Sequence, residues 1–169
     1  MKKIAIVGCP SSGKTTMATQ LGRMLNIPVY HLDKIFWTDD GHLKQDPFIA
    51  KQEEMMRGDS WIIDGNFMKS KSYEMRLNNA DTIIFFAFPK VIVYWRLLKR
   101  GLKYFNKFRP DMGGKRRNHL NWELIKFIWN YPIDEEYKKV SEYMHSKNVI
   151  ILHNLKEERE FLKNLLNLI

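Results

Sequence analysis

The sequence predicts an α/β fold in which helices cover both faces of a five-stranded parallel sheet. Short apolar stretches rich in β-branched residues alternate along the chain with longer stretches whose apolar residues recur at helical spacing. A glycine-rich turn joins the first of these strands to the first helix. No internal repeat or low-complexity linker interrupts the alternation, so we expect one domain with a single core over residues 1–169.

Four strands are predicted in the first part of the chain, because short apolar runs there are bounded by turn-forming residues. They cover residues 4–7, 28–32, 61–63 and 82–86. The helix after the first strand has its apolar face at Ala18, Leu21 and Leu25. Asp46 is expected to cap the next helix, and Gly58 follows the end of that helix. A short helix is predicted at residues 73–79.

A long helix is predicted from about Pro89, because the residues that follow form the apolar stripe of a half-buried helix. The stripe consists of Val91, Tyr94, Trp95, Leu98, Leu102 and Phe105. Pro110 and the pair Gly113-Gly114 then break the chain into a segment that we expect to be mobile. Another helix is predicted at residues 122–129.

The last part of the chain predicts one strand between two helices. The strand covers residues 149–152, and Asp134 and Asn154 are expected to cap the helices before and after it. The apolar face of the terminal helix is predicted at Phe161, Leu162, Leu165, Leu166 and Ile169. A stripe of this kind indicates packing against the core rather than a membrane anchor.

The turn after the first strand fits the phosphate-binding pattern G-x-x-x-x-G-K-(S/T) at every fixed position. Its glycines let the backbone curl, so that successive N–H groups converge on an anion at a helix N-terminus. Lys14 would reach the β- and γ-phosphates of ATP, and the Thr15 hydroxyl would ligate Mg²⁺. The predicted nucleotide-binding residues are Gly8, Pro10, Ser11, Ser12, Gly13, Lys14, Thr15 and Thr16.

Two aspartates follow predicted strands and would lie at the same edge of the sheet as this loop. Asp64 comes directly after an apolar run, so it is a candidate Mg²⁺ partner through water, although an Asp-Gly turn would also place it there. Asp33 ends the second strand and would orient or deprotonate an acceptor hydroxyl, hold a cationic group of the substrate, or else cap a turn. His31 beside it would shape the pocket or form a hydrogen bond in the core.

Arginines are the candidates for stabilising the charge of a transferring phosphoryl group. Arg96 and Arg100 lie four residues apart on one helix face, where two guanidinium groups can grip phosphate oxygens. Arg109 is the third candidate, and Arg76 is a weaker one. The alternative is that Arg96 and Arg100 are solvated helix arginines.

Positive charge is concentrated in one stretch of this chain, whose formal net charge is +9. Residues 99–117, the basic segment, contain eight basic residues and one acidic residue. Such a field attracts a nucleotide or a nucleic acid, although a solvated helix face would have the same composition. The single cysteine, Cys9, excludes an intramolecular disulfide, and no apolar run approaches the roughly 18 residues of a membrane span. We therefore expect a cytoplasmic protein with no membrane partner.

The chain resembles kinases of the adenylate kinase type in its phosphate loop, in the pair Asp64-Gly65, and in an arginine-bearing helix before a glycine-containing segment. More narrowly, it resembles the bacterial topology modulation (FlaR-like) proteins over nearly its whole length. That likeness is carried by His31-Leu32-Asp33 with Trp37, Ile63-Asp64-Gly65-Asn66-Phe67, Ala80-Asp81, Arg109-Pro110-Asp111, Trp122-Glu123 and Trp129-Asn130-Tyr131-Pro132.

The resemblance implies a sheet in the order 2-3-1-4-5 and a lid-like basic insertion at about residues 96–120 that closes over ATP. Two departures concern the acceptor. Adenylate kinases have Pro-Arg after the Asp-Gly-Phe of the third strand, and here Met68 follows Phe67, so AMP is not the expected acceptor. Residues 38–42 also lack the Pro-Gly-Trp expected after the first tryptophan of the family.

The leading hypothesis is an ATP- and Mg²⁺-dependent kinase acting on a small molecule or a nucleotide, with an acceptor that the sequence does not name. Lys14, Asp33, Arg96, Arg100 and Arg109 are the predicted catalytic residues, and Thr15 and Asp64 the predicted metal partners. The alternative hypothesis is an ATP-regulated nucleic-acid-binding protein that affects DNA topology. In that case the basic segment would bind phosphates, and Tyr104, Phe105 and Phe108 would stack on bases.

Overall fold

A computed structural model describes residues 1–39, 41–104 and 122–168. The strands are β1 (Lys3–Gly8), β2 (Val29–His31), β3 (Trp37–Thr38), β4 (Gly41–His42), β5 (Trp61–Asp64), β6 (Thr82–Phe86) and β7 (Asn148–Leu152). The helices are α1 (Lys14–Leu25), α2 (Leu32–Phe36), α3 (Gln45–Met56), α4 (Lys71–Asn79), α5 (Lys90–Lys103), α6 (Trp122–Trp129), α7 (Ile133–Ser141) and α8 (Leu155–Leu166).

The main sheet has five parallel strands in the order β2-β5-β1-β6-β7, and β3 and β4 form a separate antiparallel hairpin. The expected α/β fold is confirmed. When the two hairpin strands are left out of the count, the order of the sheet is the expected 2-3-1-4-5. In the register of the sheet, Asp64 pairs with His31 on one side and with Ile6 on the other. His31 and Asp64 are the last residues of β2 and β5, so they meet at the edge where these two strands end.

The core consists of two layers, one on each face of the sheet, because alternate residues of each strand point to opposite sides. Ile4 and Ile6 of β1 pack in one layer with Met17 and Leu21 of α1. The intervening Ala5 and Val7 pack in the other layer with residues of α3 and α4. All of β5 and β6 is buried, as expected for a parallel sheet covered on both faces.

The predicted end of the second strand is wrong. β2 stops at His31, and Leu32 already begins the short helix α2. Asp33 therefore lies in the first turn of that helix rather than at a strand end. Leu32 is fully buried in the core against Gly65, and this packing overrides the extended conformation that the apolar run favours.

Two of the three predicted helix caps are also wrong. α3 begins at Gln45 and α7 at Ile133, so Asp46 and Asp134 lie inside the first turns of their helices. A carboxylate in the first turn still interacts favourably with the helix dipole. Sequence composition alone therefore does not distinguish a first-turn aspartate from an aspartate that caps the helix. The third cap is confirmed, since the Asn154 side chain accepts hydrogen bonds from two backbone N–H groups of α8.

The buried face of α5 differs from the predicted stripe. The helix starts after Pro89 as predicted, but its buried residues are Val93 and Leu97. Four members of the predicted stripe are largely exposed: Val91 (79%), Trp95 (56%), Leu98 (47%) and Leu102 (73%). The helix carries apolar residues on two faces, so hydrophobic periodicity alone does not decide which face packs on the sheet.

The predictions near the ends of α5 and α8 are confirmed only in part, and some of them concern residues that the structure does not describe. Leu165 is buried in α8 as predicted, whereas Leu166 of the same predicted face is exposed. Phe105, Phe108, Pro110, Gly113-Gly114 and Ile169 lie outside the described residues. The lid-like insertion expected at about residues 96–120 falls partly on α5 and otherwise outside them. None of the helices described is both long and apolar enough to cross a membrane.

Candidate functional site

The phosphate-binding loop lies where β1 ends and α1 begins, and its two pattern glycines have conformations that other residues rarely adopt. Gly8 has φ +126°, and Gly13, the residue before α1, has φ +106°. A Cβ added at Gly8 would lie 2.7 Å from the carbonyl oxygen of Phe86 in β6. A Cβ added at Gly13 would overlap the guanidinium group of Arg96. Gly8 therefore requires glycine for space as well as for φ, whereas at Gly13 the φ favours glycine and a Cβ would displace the flexible Arg96 side chain.

Lys14 is buried and folds back along the loop that precedes it. Its Nζ donates hydrogen bonds to the carbonyl oxygens of Gly8 and Cys9, both at 2.8 Å. The hydroxyls of Ser11 and Ser12 are buried and have no hydrogen-bond partner in the part of the chain that the structure describes. A loop that offers a lysine, unpaired hydroxyls and a helix N-terminus has the chemistry of an anion site.

The remaining predicted loop residues lie at its rim. Pro10 and Thr15 are half-buried, and Thr16 is exposed. Thr15 stands in the first turn of α1, and its carbonyl oxygen accepts a hydrogen bond of 2.8 Å from the Thr19 hydroxyl. The Thr15 side chain is therefore placed at the end of α1 that faces the loop.

Asp64 ends β5 and is only 4% exposed. One of its oxygens, Oδ2, lies 3.1 Å from Nδ1 of His31, its register partner on β2. With the proton on Nδ1, His31 donates this hydrogen bond and fixes the orientation of the carboxylate. The sequence indicated that His31 would shape the pocket or form a hydrogen bond in the core, and the parallel register of the two strands brings it to Asp64.

Asp33 is exposed in the first turn of α2, one residue beyond Leu32. A Cβ added at Gly65 would lie 2.7 Å from the Cβ of Leu32, so the start of α2 packs tightly against the chain that follows β5. The structure therefore places Asp33 near the same edge of the sheet as Asp64, although on a helix.

Arg96 reaches the phosphate loop from α5. Its guanidinium group donates to the carbonyl oxygen of Ser12 and to the carboxylate of Glu158 in α8, and it lies 4.9 Å from the centre of the Phe88 ring. Arg100, one turn further along α5, is half-buried. Arg109 lies outside the described residues. Of the predicted arginines that the structure describes, Arg96 is therefore shown in direct contact with the loop.

Arg76 has a role at this edge that the sequence did not indicate. It is fully buried in α4, and its guanidinium donates to the carbonyl oxygens of Gly65 at 2.6 Å, Asn66 at 2.5 Å and Ser72 at 3.2 Å. Burial lowers the pKa of Arg76 to about 10, and the nearby charge of Asp64 opposes this shift. Arg76 therefore fixes the path of the chain directly after Asp64.

Glu136 of α7 is a second residue that the sequence analysis missed. Its carboxylate is fully buried and accepts hydrogen bonds from the hydroxyls of Tyr73, at 2.9 Å, and Tyr131. The Asn66 side-chain amide in turn donates to the Tyr131 hydroxyl. Burial raises the pKa of Glu136, and the tyrosine hydroxyls, the charge of Lys14 and the N–H of Gly8 act in the opposite direction.

No signal in the sequence would have found this cluster. Tyr73 and Glu136 are 63 positions apart, and Asn66 and Tyr131 are 65 positions apart. Cys9 lies near the same carboxylate, and burial raises the pKa of its thiol to about 11. The thiol therefore stays protonated at neutral pH and is not an activated nucleophile.

Comparison with solved structures identifies kinases of similar fold. Shikimate kinase from Acinetobacter baumannii in complex with shikimate has a TM-score of 0.60 and 13% identity over 99% of this chain and 92% of its own. A gluconokinase from Sinorhizobium meliloti 1021 has a TM-score of 0.56 and 14% identity over 99% and 93%. Deoxyadenosine kinase from M. mycoides with bound dCTP has a TM-score of 0.50 and 17% identity over 98% and 99%.

At these identities the likeness concerns the fold. No curated protein matches the sequence. A family model does: the AAA_18 model, described as an AAA domain, matches residues 4–108. The match contains the phosphate loop, Asp64 and Arg96, and it spans more than half of the chain, so the chain belongs to this AAA domain family.

Proposed function

We propose that this protein is an ATP- and Mg²⁺-dependent kinase that transfers a phosphoryl group to a hydroxyl of a small acceptor. The observation that carries the proposal is the loop between β1 and α1. Its two glycines have positive φ, its lysine is buried along the backbone, and two of its hydroxyls are buried without partners among the described residues. These features match what a bound triphosphate requires.

In this proposal Lys14 leaves the carbonyl oxygens of Gly8 and Cys9 and binds the β- and γ-phosphates. The loop amides and the hydroxyls of Ser11 and Ser12 bind the remaining phosphate oxygens. Thr15 and Asp64 offer the hard oxygen donors that Mg²⁺ prefers, and so fit this ion. Bound Mg²⁺ would neutralise charge on the phosphates. His31 would hold the Asp64 carboxylate in place.

The acceptor would bind beside the loop, at the ends of β2 and β5. Asp33 and the chain after Asp64 flank this position, so Asp33 would orient the attacking hydroxyl or take its proton. Arg96 would exchange its bond to the Ser12 carbonyl for phosphate oxygens, and Arg100 would assist from the same helix. The solved kinases of similar fold include enzymes named for shikimate, gluconate and deoxyadenosine, which supports a small hydroxyl compound as acceptor.

We further propose that the acceptor carries no phosphate. In the adenylate kinase type that the chain resembles, an arginine after the third strand of the sheet holds the acceptor phosphate, and here Arg76 is the first arginine after β5. Its guanidinium is fully buried and bonded to three carbonyl oxygens, so it does not reach a ligand without breaking the chain path after Asp64. This argument agrees with the absence of Pro-Arg after Phe67.

The proposal is tested by Mg-ATP binding and by acceptor-dependent ADP release. Lys14→Ala should weaken Mg-ATP binding at least about tenfold, since charge-assisted hydrogen bonds are lost. Lys163→Ala, at an exposed position of α8, is the control and should bind as the parent does. A panel of nucleosides, nucleoside monophosphates, sugar acids and small alcohols then identifies the acceptor. Equal Mg-ATP binding by the Lys14→Ala variant and the parent would contradict the assignment.

The narrower assignment, to the topology modulation (FlaR-like) proteins, rests on the sequence resemblance. One observation favours the accompanying nucleic-acid hypothesis as a second candidate. Trp95 on α5 and Trp122 on α6 are exposed, and each has a lysine nitrogen within 6 Å of its ring centre: Lys99 at 5.9 Å and Lys126 at 5.8 Å. Exposed aromatic rings beside cations suit stacking on single-stranded nucleic acid. Affinity for an oligonucleotide should then fall steeply with salt, and a flat response excludes the candidate.

A further inference from the structure

Glu158 of α8 is a buried acidic residue to which the proposed function gives no part. Its carboxylate accepts a hydrogen bond from the guanidinium group of Arg96. The two side chains form an ion pair, in which the arginine is 23% exposed and the glutamate 12%. A carboxylate removed from water is costly unless an opposite charge compensates for the lost hydration. Arg96 supplies that charge, so the ion pair connects α8 with α5.

The other contacts of Arg96 direct its guanidinium group onto the phosphate-binding loop. One nitrogen donates to the carbonyl oxygen of Ser12, and the other terminal nitrogen donates to Glu158. The guanidinium carbon lies 4.9 Å from the centre of the Phe88 ring. The group also lies where a Cβ at Gly13 would be, so this glycine leaves the space that the group fills. Arg96 is therefore fixed by the loop, by an aromatic ring and by α8.

The bonds to the loop and to α8 use different nitrogens, which matters for the binding of phosphate. In the proposed function Arg96 exchanges its bond to the Ser12 carbonyl oxygen for phosphate oxygens, and its bond to Glu158 is not broken by that exchange. The planar guanidinium group presents its donors in a fixed fork, so one side stays on a carboxylate while the other binds an anion. Because such an arginine is already ordered, less conformational entropy is lost when the anion binds.

We propose that Glu158 is a positioning residue for Arg96: it keeps the guanidinium group at the phosphate-binding loop, ready for the phosphate oxygens of Mg-ATP. The inference rests on the proposed function, because it concerns the part of Arg96 in nucleotide binding. Arg96 lies within the stretch 4–108 that the family model matches, and Glu158 lies outside it. The proposal therefore adds a residue of α8 to a site whose other described members lie between Gly8 and Arg100.

The first measurement needs no ATP. Because the guanidinium group of Arg96 lies against Gly13, the backbone amide resonance of Gly13 reports whether the group is in place. Arg96→Met removes the charge but keeps a long apolar stem beside Phe88. We expect Glu158→Ala to shift the Gly13 resonance in the parent background and to leave it unchanged in the Arg96→Met background. An equal shift in both backgrounds, or no shift in either, would overturn the proposal.

The second measurement is the affinity for Mg-ATP. Glu158→Ala removes the carboxylate, while Glu158→Gln keeps its shape and a neutral acceptor oxygen, whose bond is about half as strong. The alanine variant should therefore lose at least about threefold in affinity, and the glutamine variant less. In the Arg96→Met background neither substitution should lower the affinity further. Glu160→Ala is the matched control, because Glu160 is 57% exposed on the same helix, and it should bind as the parent does.

The remaining outcomes separate the alternatives. Unchanged or tighter binding of Mg-ATP by both Glu158 variants would show that the carboxylate does not prepare Arg96 for phosphate, and would overturn the proposal. So would a loss that persists in the Arg96→Met background, since this would mark a purely structural role. If the alanine variant does not fold, Glu158→Gln serves for both measurements with smaller effects. If the parent protein binds no Mg-ATP, the proposed function fails, while the Gly13 resonance still decides whether Glu158 positions Arg96.

Discussion

His31 and Asp64 are register partners on neighbouring parallel strands, and their side chains meet at 3.1 Å where both strands end. The relationship follows from the topology, because β2 and β5 are adjacent in the sheet while α2, the β3-β4 hairpin and α3 lie between them in the chain. It gives the candidate metal partner a fixed orientation before any ligand binds. Oriented carboxylates of this kind hold a metal better than free ones.

Removing the His31 ring should weaken the response to Mg²⁺. His31→Ala leaves the Asp64 carboxylate free to rotate, so we expect the Mg²⁺ concentration for half-maximal ADP release to rise about tenfold, with little change in Mg²⁺-saturated activity. The control is His153→Ala, which removes an exposed histidine that contacts Glu157 beside α8. Unchanged Mg²⁺ dependence in His31→Ala would show that His31 does not orient Asp64.

Gly13→Ala should destabilise the protein and disturb Arg96. The alanine would have φ +106° and would overlap the guanidinium group, so a cost of about 1–3 kcal/mol from the backbone adds to the displacement of Arg96. Gly41→Ala is a matched control, because Gly41 also has positive φ but no atom of the described residues lies within 4 Å of the added Cβ. Urea denaturation should show the larger loss for Gly13→Ala. Equal losses would mean that the Arg96 contact contributes nothing.

The loop and most of the sheet could be predicted because their signals are local. Gly13 and Lys14 belong to a contiguous pattern, and the strand at residues 82–86 is an uninterrupted apolar run that matches β6. Asp33 was misplaced because packing of Leu32 against Gly65, a contact distant in sequence, turns the chain into a helix one residue after β2.

The buried polar groups of the site could not be predicted for a related reason. Arg76 and Glu136 are charged residues in predicted helices, where such residues normally lie at the surface. Only the tertiary structure supplies the carbonyl oxygens and hydroxyls that compensate the burial of their charges. The face of α5 was misjudged because Trp95 and Leu98 are as apolar as the residues that are buried there.

Arg76→Lys should cost at least about 2 kcal/mol of stability, although it keeps the charge. An ammonium group has no planar fork, so it does not bond the carbonyl oxygens of Gly65 and Asn66 together, and buried carbonyl groups lose their partners. Arg57→Lys, at an exposed position after α3, is the control and should be neutral. Thermal and urea unfolding measure both variants. A neutral Arg76→Lys would show that Arg76 only fills space.

Asn154→Ala should remove about 1 kcal/mol of stability through the loss of a helix cap. The Asn154 side-chain oxygen accepts from the N–H groups of Lys156 and Glu157, each at 3.0 Å, and alanine leaves both donors to water. Asn167→Ala, at the other end of α8, removes an amide without a capping bond of this kind and should cost less. Equal unfolding midpoints for the two variants would contradict the role of the cap.

Because the Cys9 thiol is buried, we expect the free energy of unfolding to fall at high pH. Burial raises the pKa of the Cys9 thiol from 9.0 to about 11, so between these values the unfolded chain releases the thiol proton and the folded chain keeps it. The contribution of Cys9 to stability is therefore complete below pH 9 and is lost as the pH rises to about 11, by about 1.4 kcal/mol for each unit of difference. Cys9→Ala lacks this titration, so its unfolding free energy should fall less steeply than that of the parent over this range. Parallel pH profiles for the two proteins would show that the thiol is not shielded from ionisation by the fold.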